Sequence, residues 1–94
     1  MTAVHEHVGV KVRYFAGARA AAGVAEETVQ VARSAEGAPR ASDVIEAVLA
    51  RHGEQLAKVV PACSFLLDGV AVRDRSVEVG EGAEFDVLPP FAGG

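Results

Sequence analysis

One cysteine, one methionine, four prolines and no tryptophan in 94 residues set the first limits on this chain. The lone thiol, Cys63, excludes an intramolecular disulfide framework and any iron–sulfur centre held by four thiolates. A surplus of positive charge is also missing, since nine basic residues stand against thirteen acidic ones for a net charge of -4. The electrostatic footprint of a nucleic-acid binder is therefore absent. Apolar runs stay well short of the roughly 18 residues that a membrane-spanning helix needs. Met1 to His7 also lacks the cationic-then-apolar order of a secretory leader. These absences point to a cytoplasmic protein that engages neither nucleic acid nor membrane.

What is present is small and apolar. Half of the chain is hydrophobic, yet 18 of those residues are Ala and 16 are Val, against 5 Leu, 4 Phe and 1 Ile. Such a composition favours thin, closely packed layers. A domain of this size buries only about two-thirds of its unfolded surface. That leaves little material for a deep catalytic pocket of its own.

Residues 1–7, with His5-Glu6-His7, read as a flexible polar lead-in, and two histidines without further fixed ligands do not make a metal site. From Val8 the pattern has period two: Val8, Val10, Val12 and Tyr14 share one face, while Lys11, Arg13 and Phe15 share the other. A short helix from Ala16 to Ala22 follows and stops at Gly23. Thr28 to Ala32 alternates again through Val29 and Val31, which makes it a hairpin partner for the first strand. After a loop at Ser34 to Arg40, Ser42 reads as an N-cap, with Asp43 in the first turn of the one long helix. Val44, Ile45, Val48, Leu49 and His52 give its apolar stripe, Gly53 ends it, and Leu56, Val59 and Val60 continue as a short turn. Cys63 to Leu67 reads as a strand, Asp68-Gly69 as a hairpin turn, and Glu84 to Leu88 as the last strand. The order implies an α+β roll: a mixed sheet packed on one main helix, with the last strand parallel to the first. Residues 8–88 form the domain and residues 89–94 an extended tail.

Conventional catalytic constellations do not appear. Gly80-Glu81-Gly82 lacks the following helix of a dinucleotide fingerprint. His52 reads as a packed residue, Cys63 as a buried inert thiol, and Glu84 and Asp86 as solvated or partner-facing groups on the polar side of the last strand. The tail differs. Pro89-Pro90 blocks strand continuation, and Gly93-Gly94 has no Cβ, so a terminal carboxylate could thread a narrow channel and lie against a nucleotide. An activating enzyme would need such a terminus to make an acyl adenylate. An unstructured polar end is the plainer alternative.

Several of these segments resemble the small, sulfur-carrying subunits of molybdopterin synthase, one branch of the ubiquitin-like sulfur carriers. They are Val10 to Ala16 with Arg19 and Gly23, the helix from Ser42, the Asp68-Gly69 hairpin, and the end Asp86-Val87-Leu88-Pro89-Pro90-Phe91-Ala92-Gly93-Gly94. The resemblance implies a β-grasp fold and a protein that is itself the substrate. Gly94 would be adenylated by an E1-like sulfurtransferase using ATP and magnesium, with no stably bound cofactor, and then converted to a thiocarboxylate. Pro89, Pro90, Phe91, Ala92 and Gly93 would thread a channel in the large synthase subunit. There sulfur would pass to a cyclic pyranopterin monophosphate within a heterotetramer, the chain not being an enzyme on its own. Outward-facing Phe15 and Leu88, extended by Leu66, would form the docking patch; a second small core closed by Phe15 and Leu88 under a loop is the plainer alternative. Carriers for thiamine or cysteine synthesis and ubiquitin-like protein modifiers share the diglycine chemistry and remain alternatives.

Overall fold

The structure, a computed structural model, describes residues 6–33 and 37–90. Strand β1 (His7–Tyr14) takes in the last residue assigned to the lead-in, because His7 pairs with Ala32. Helix α1 (Ala16–Ala22) ends as its sequence suggests, with Gly23 in the left-handed region at φ 81° and its N–H donating to the Arg19 carbonyl. Strand β2 (Glu26–Ala32) begins two residues before the alternation was read to start and pairs antiparallel with β1 without a bulge. Next come α2 (Ala41–His52), α3 (Glu54–Val59) and a 3-10 turn over Val60–Ala62. β3 (Ser64–Leu67), β4 (Val70–Ala71) and β5 (Glu84–Leu88) complete the chain of elements.

The sheet order is β2-β1-β5-β3-β4. β5 lies parallel to β1, with Lys11 opposite Glu84 and Tyr14 opposite Val87, and antiparallel to β3, with Ser64 opposite Leu88. The parallel centre inferred from topology is therefore present. Asp68 and Gly69 both have positive φ, 51° and 84°, the geometry that lets a two-residue turn match the strand twist between β3 and β4.

The core lies between the sheet and α2. Val8, Val10, Val12 and Tyr14 from β1 meet Val29 and Val31 from β2, Phe85 and Val87 from β5, and Val44, Ile45 and Val48 from α2. With so few large residues, the Phe65 and Phe85 rings stack at 5.4 Å to fill the centre. Each fully buried Val, Leu or Phe contributes roughly 1.5–3 kcal/mol of transfer free energy.

Ser42 is not the N-cap. Arg40, extended at φ -109° and ψ 168°, takes that place, and its N–H donates to Asp43 Oδ2 at 2.8 Å. The first amides of α2 need no Ser42 side chain, because Ala41 N–H donates to the Val77 carbonyl and Ser42 N–H to the Arg75 carbonyl, both at 2.9 Å. The 75–77 segment does the capping that a serine does elsewhere.

Candidate functional site

β5 is the central delivery element. Flanked by β1 and β3, it carries the chain to the end of the sheet where Phe15 and the start of α1 lie, and the Phe15 N–H donates to the Val87 carbonyl at 3.2 Å. Past Leu88, half-buried Pro89 and exposed Pro90 have no N–H to offer, so pairing stops there. Phe91, Ala92, Gly93 and Gly94 lie outside the described residues, as do Met1 to His5 and Ser34 to Glu36.

The outward face beside this exit is built from Phe15, just past the end of β1, and from residues of β5 and β3. Phe15 is 37% exposed, and Leu88 and Leu66 are half-buried. Register places Leu88 beside Ser64, and Leu66 beside Asp86 one row back. Thus all three expected docking residues share one face, though only Phe15 stands proud of it. Ala16, whose φ of 49° is unusual for a residue with a Cβ, turns the chain sharply from β1 into α1 and leaves Phe15 at that corner.

Asp86 departs from expectation. It is 3% exposed rather than solvated, because a central strand is covered on both sides, by Arg13 of β1 and Leu66 of β3. Arg13 grips it with both prongs, Nε to Oδ1 at 2.8 Å and an Nη to Oδ2 at 2.9 Å. Glu84 Oε1 lies 3.6 Å from the same guanidinium, and the hydrogen bonding to Asp86 raises the Arg13 pKa further above its already high value. The guanidinium also sits 5.5 Å from the Phe15 ring centre. A planar bidentate pair and a cation–π contact together fix the aromatic edge of the platform.

A second polar cluster, on the core face, was not read from the sequence. Glu27 Oε2 is 2.5 Å from both Tyr14 Oη and His52 Nε2, and Oε1 is 2.9 Å from Arg51 Nε. Two contacts to one oxygen assign both as donors, so His52 Nε2 carries a proton. The His52 ring meets Tyr14 edge-on at 5.6 Å. Burial alone would raise the Glu27 carboxyl, but the bonds from Tyr14 and His52 and the charge of Arg51 outweigh it and hold the group below its usual value. Burial, reinforced by Glu27, pushes the Tyr14 hydroxyl well above the tyrosine range. One signal could have revealed this cluster: Glu27 continues the inward alternation of Val29 and Val31, an odd place for an acid without a partner.

His52 is packed against Tyr14, and Cys63 is buried with its thiol pushed up by that burial while its Sγ–H donates to the Val59 carbonyl at 3.3 Å. Among the described residues no group of His, Cys, Asp and Glu could hold a metal ion, and no helix is long and apolar enough to cross a membrane. The chemical resources at the exit are therefore an apolar platform, a fixed guanidinium and the chain that leaves beside them.

No family model matches the chain. It is 34% identical over 86 residues to the molybdopterin synthase sulfur carrier subunit of Chlamydomonas reinhardtii, covering 90% of this chain and 98% of that one. Molybdopterin converting factor subunit 1 of Pyrococcus furiosus has a similar structure, with TM-score 0.77 and 30% identity over 89% of this chain and 99% of that one. Small archaeal modifier protein 1 of Methanosarcina acetivorans shares the fold at TM-score 0.76 and 23% identity, covering 94% and 98% of the two chains. So does the Helicobacter pylori complex of molybdopterin-converting factor subunits 1 and 2, at TM-score 0.65 and 20% identity over 93% and 100%.

Proposed function

Because the chain belongs to the molybdopterin synthase sulfur carrier subunits, we propose that it carries sulfur on its Gly94 carboxyl group and delivers it to a cyclic pyranopterin monophosphate. The observation that supports this reading is the placement of β5, which brings the chain to Pro89 and Pro90 beside Phe15 and Leu88, four residues before Gly94 in the sequence.

The chemistry follows from what a carboxylate lacks. It is a poor acyl group until oxygen is made a leaving group. In the proposed cycle a Gly94 carboxylate oxygen attacks the α-phosphorus of ATP, held with magnesium by an adenylating E1-like sulfurtransferase, and pyrophosphate departs. A sulfide-equivalent donor then attacks the carbonyl carbon and displaces AMP, leaving a thiocarboxylate. In the large synthase subunit the thiocarboxylate sulfur attacks an electrophilic carbon of the pterin precursor and displaces an oxygen leaving group there, giving an acyl thioester. Water then breaks its carbonyl carbon–sulfur bond, so that sulfur stays on the pterin and the restored carboxylate can be charged again. Glycine at 93 and 94 lets the carbonyl approach a nucleotide without a Cβ in the way.

Within this chain the residues at the exit position, and do not react. Arg13 holds Asp86 and leans on Phe15, which positions the aromatic ring at the exit. Phe15, Leu66 and Leu88 dock successively on the activating enzyme and on the large subunit, two carriers joining a large-subunit dimer. The test is a single residue added after Gly94. It should abolish molybdopterin formation in the reconstituted synthase while leaving the melting curve unchanged. Synthesis that survives the extension refutes the tail chemistry.

A further inference from the structure

We infer that the free edge of β2, together with the adjoining face of α2, pairs with the same edge of a second copy of this chain. This goes beyond the carrier reading and does not rest on it. The Tyr14 N–H donates to the Ala25 carbonyl at 2.8 Å, and the Arg33 N–H to the Glu6 carbonyl at 2.7 Å. The alternation of an antiparallel ladder then turns the backbone groups of Glu27, Val29 and Val31 toward β1 and those of Glu26, Thr28, Gln30 and Ala32 away from it. All four of the latter are exposed, and among the described residues no backbone group pairs with them on that side.

The two edges of the sheet are unlike. β4 offers only Val70–Ala71, whereas β2 offers seven residues with no proline and no bulge. Edge strands are normally guarded by such features or by unpaired charge. Here both candidate guards are neutralised: Glu26 meets Lys11 at 3.5 Å and Glu27 is turned inward to Tyr14, His52 and Arg51.

Charge selects the occupant. The groove between β2 and α2 is acidic at one end, where Asp43 and Glu46 lie beside Gln30 to Ala32. At the other end Arg51 lies beside Thr28, its Nε held by Glu27 while its side chain stays 56% exposed, and Ala47 and Ala50 line the groove between. An antiparallel two-fold through Val29 sets Thr28 against Gln30 of the second copy and Glu26 against Ala32, so the free amides meet in register. The same operation brings Glu46 toward Arg51 of the second copy, with small alanines where the two α2 helices approach. A groove with this polarity complements itself. β1 separates this edge from β5, so both Pro89 exits stay open.

Sedimentation equilibrium of the full chain, with amide exchange followed at each residue, tests the pairing. The mass should rise from 9.7 kDa toward twice that value with concentration, and Thr28 and Gln30 amides should gain protection in parallel. Thr28→Pro removes an edge N–H that β1 does not use and should hold the chain monomeric. Glu46→Lys, at an exposed helix position, should weaken association about tenfold with the melting curve unchanged. A wild-type chain that stays monomeric up to about 1 mM overturns the inference. So does a dimer indifferent to both variants, one that protects Val70–Ala71 instead, or protection of Thr28 and Gln30 that appears only on adding the large subunit.

Discussion

Asp86 and Glu27 are both acids withdrawn from solvent, and each is met by an arginine, but they lie on opposite faces of the sheet and answer to different neighbours. Both Asp86 oxygens go to one side chain, Arg13, from the adjacent strand. The interaction stays within the outward face and ends at the Phe15 ring. Glu27 instead divides its oxygens among Tyr14 of β1 and Arg51 and His52 of α2, so it ties a layer of sheet to the helix. One acid organises a surface and the other closes the fold. Variants should therefore separate partner binding from stability according to the face they touch.

The largest stability effect should come from Glu27→Ala, which leaves the Tyr14 hydroxyl and the His52 ring without their carboxylate at a site where each is largely buried. A loss of about 2–4 kcal/mol in chemical denaturation is expected. Affinity for the large subunit, measured where the variant is still folded, should not change. Next in size, Phe15→Asp or Leu88→Asp should weaken binding of both the large subunit and the activating enzyme by about 2 kcal/mol, roughly thirtyfold in Kd, with stability nearly unchanged. Unaltered pull-downs would remove the outward face from the account. Arg13→Lys bridges the two effects. It keeps the charge but loses the bidentate grip and the stacking on Phe15, and should lower both stability and partner affinity by less than the changes above; a change in stability alone would show that Phe15 does not depend on it.

The smallest effect is one of pH. The Glu27 carboxyl is held below its ordinary value in the folded chain. Its stabilisation is thus complete above the ordinary glutamate range, near pH 4.3, and is lost as the pH falls through the lowered folded value. Glu27→Gln should flatten this acid limb of the stability curve. An unchanged limb would mean that other carboxylates carry it.

Much of the fold was legible because period two and period 3.6 separate cleanly in this chain. Val8 to Tyr14, Val44 to His52 and Glu84 to Leu88 all lie in the elements their spacing implies. The cap of α2 was not legible, since the 75–77 segment that satisfies Ala41 and Ser42 is distant in sequence. The outward positions of Phe15 and Leu88 follow from alternation alone. Asp86 looked solvated for the same reason, because alternation gives the face of a residue but not which cation the neighbouring strand will place beside it. The alternation from Thr28 to Ala32 does not reveal Glu27, because the acid on the apolar side lies one residue before it. Register and long-range pairing, rather than local pattern, decide how both acids are used.

Whether Gly94 carries the sulfur is read from the intact mass of the charged chain. The chain would be incubated with an adenylating sulfurtransferase, ATP, magnesium and a sulfide donor. The predicted product is the whole chain with one oxygen replaced by sulfur, localised to Gly94 by fragmentation and reverting to the carboxylate after turnover with the large subunit. Products joined only through isopeptide bonds to lysine, or sulfur found at Cys63 instead, would contradict it.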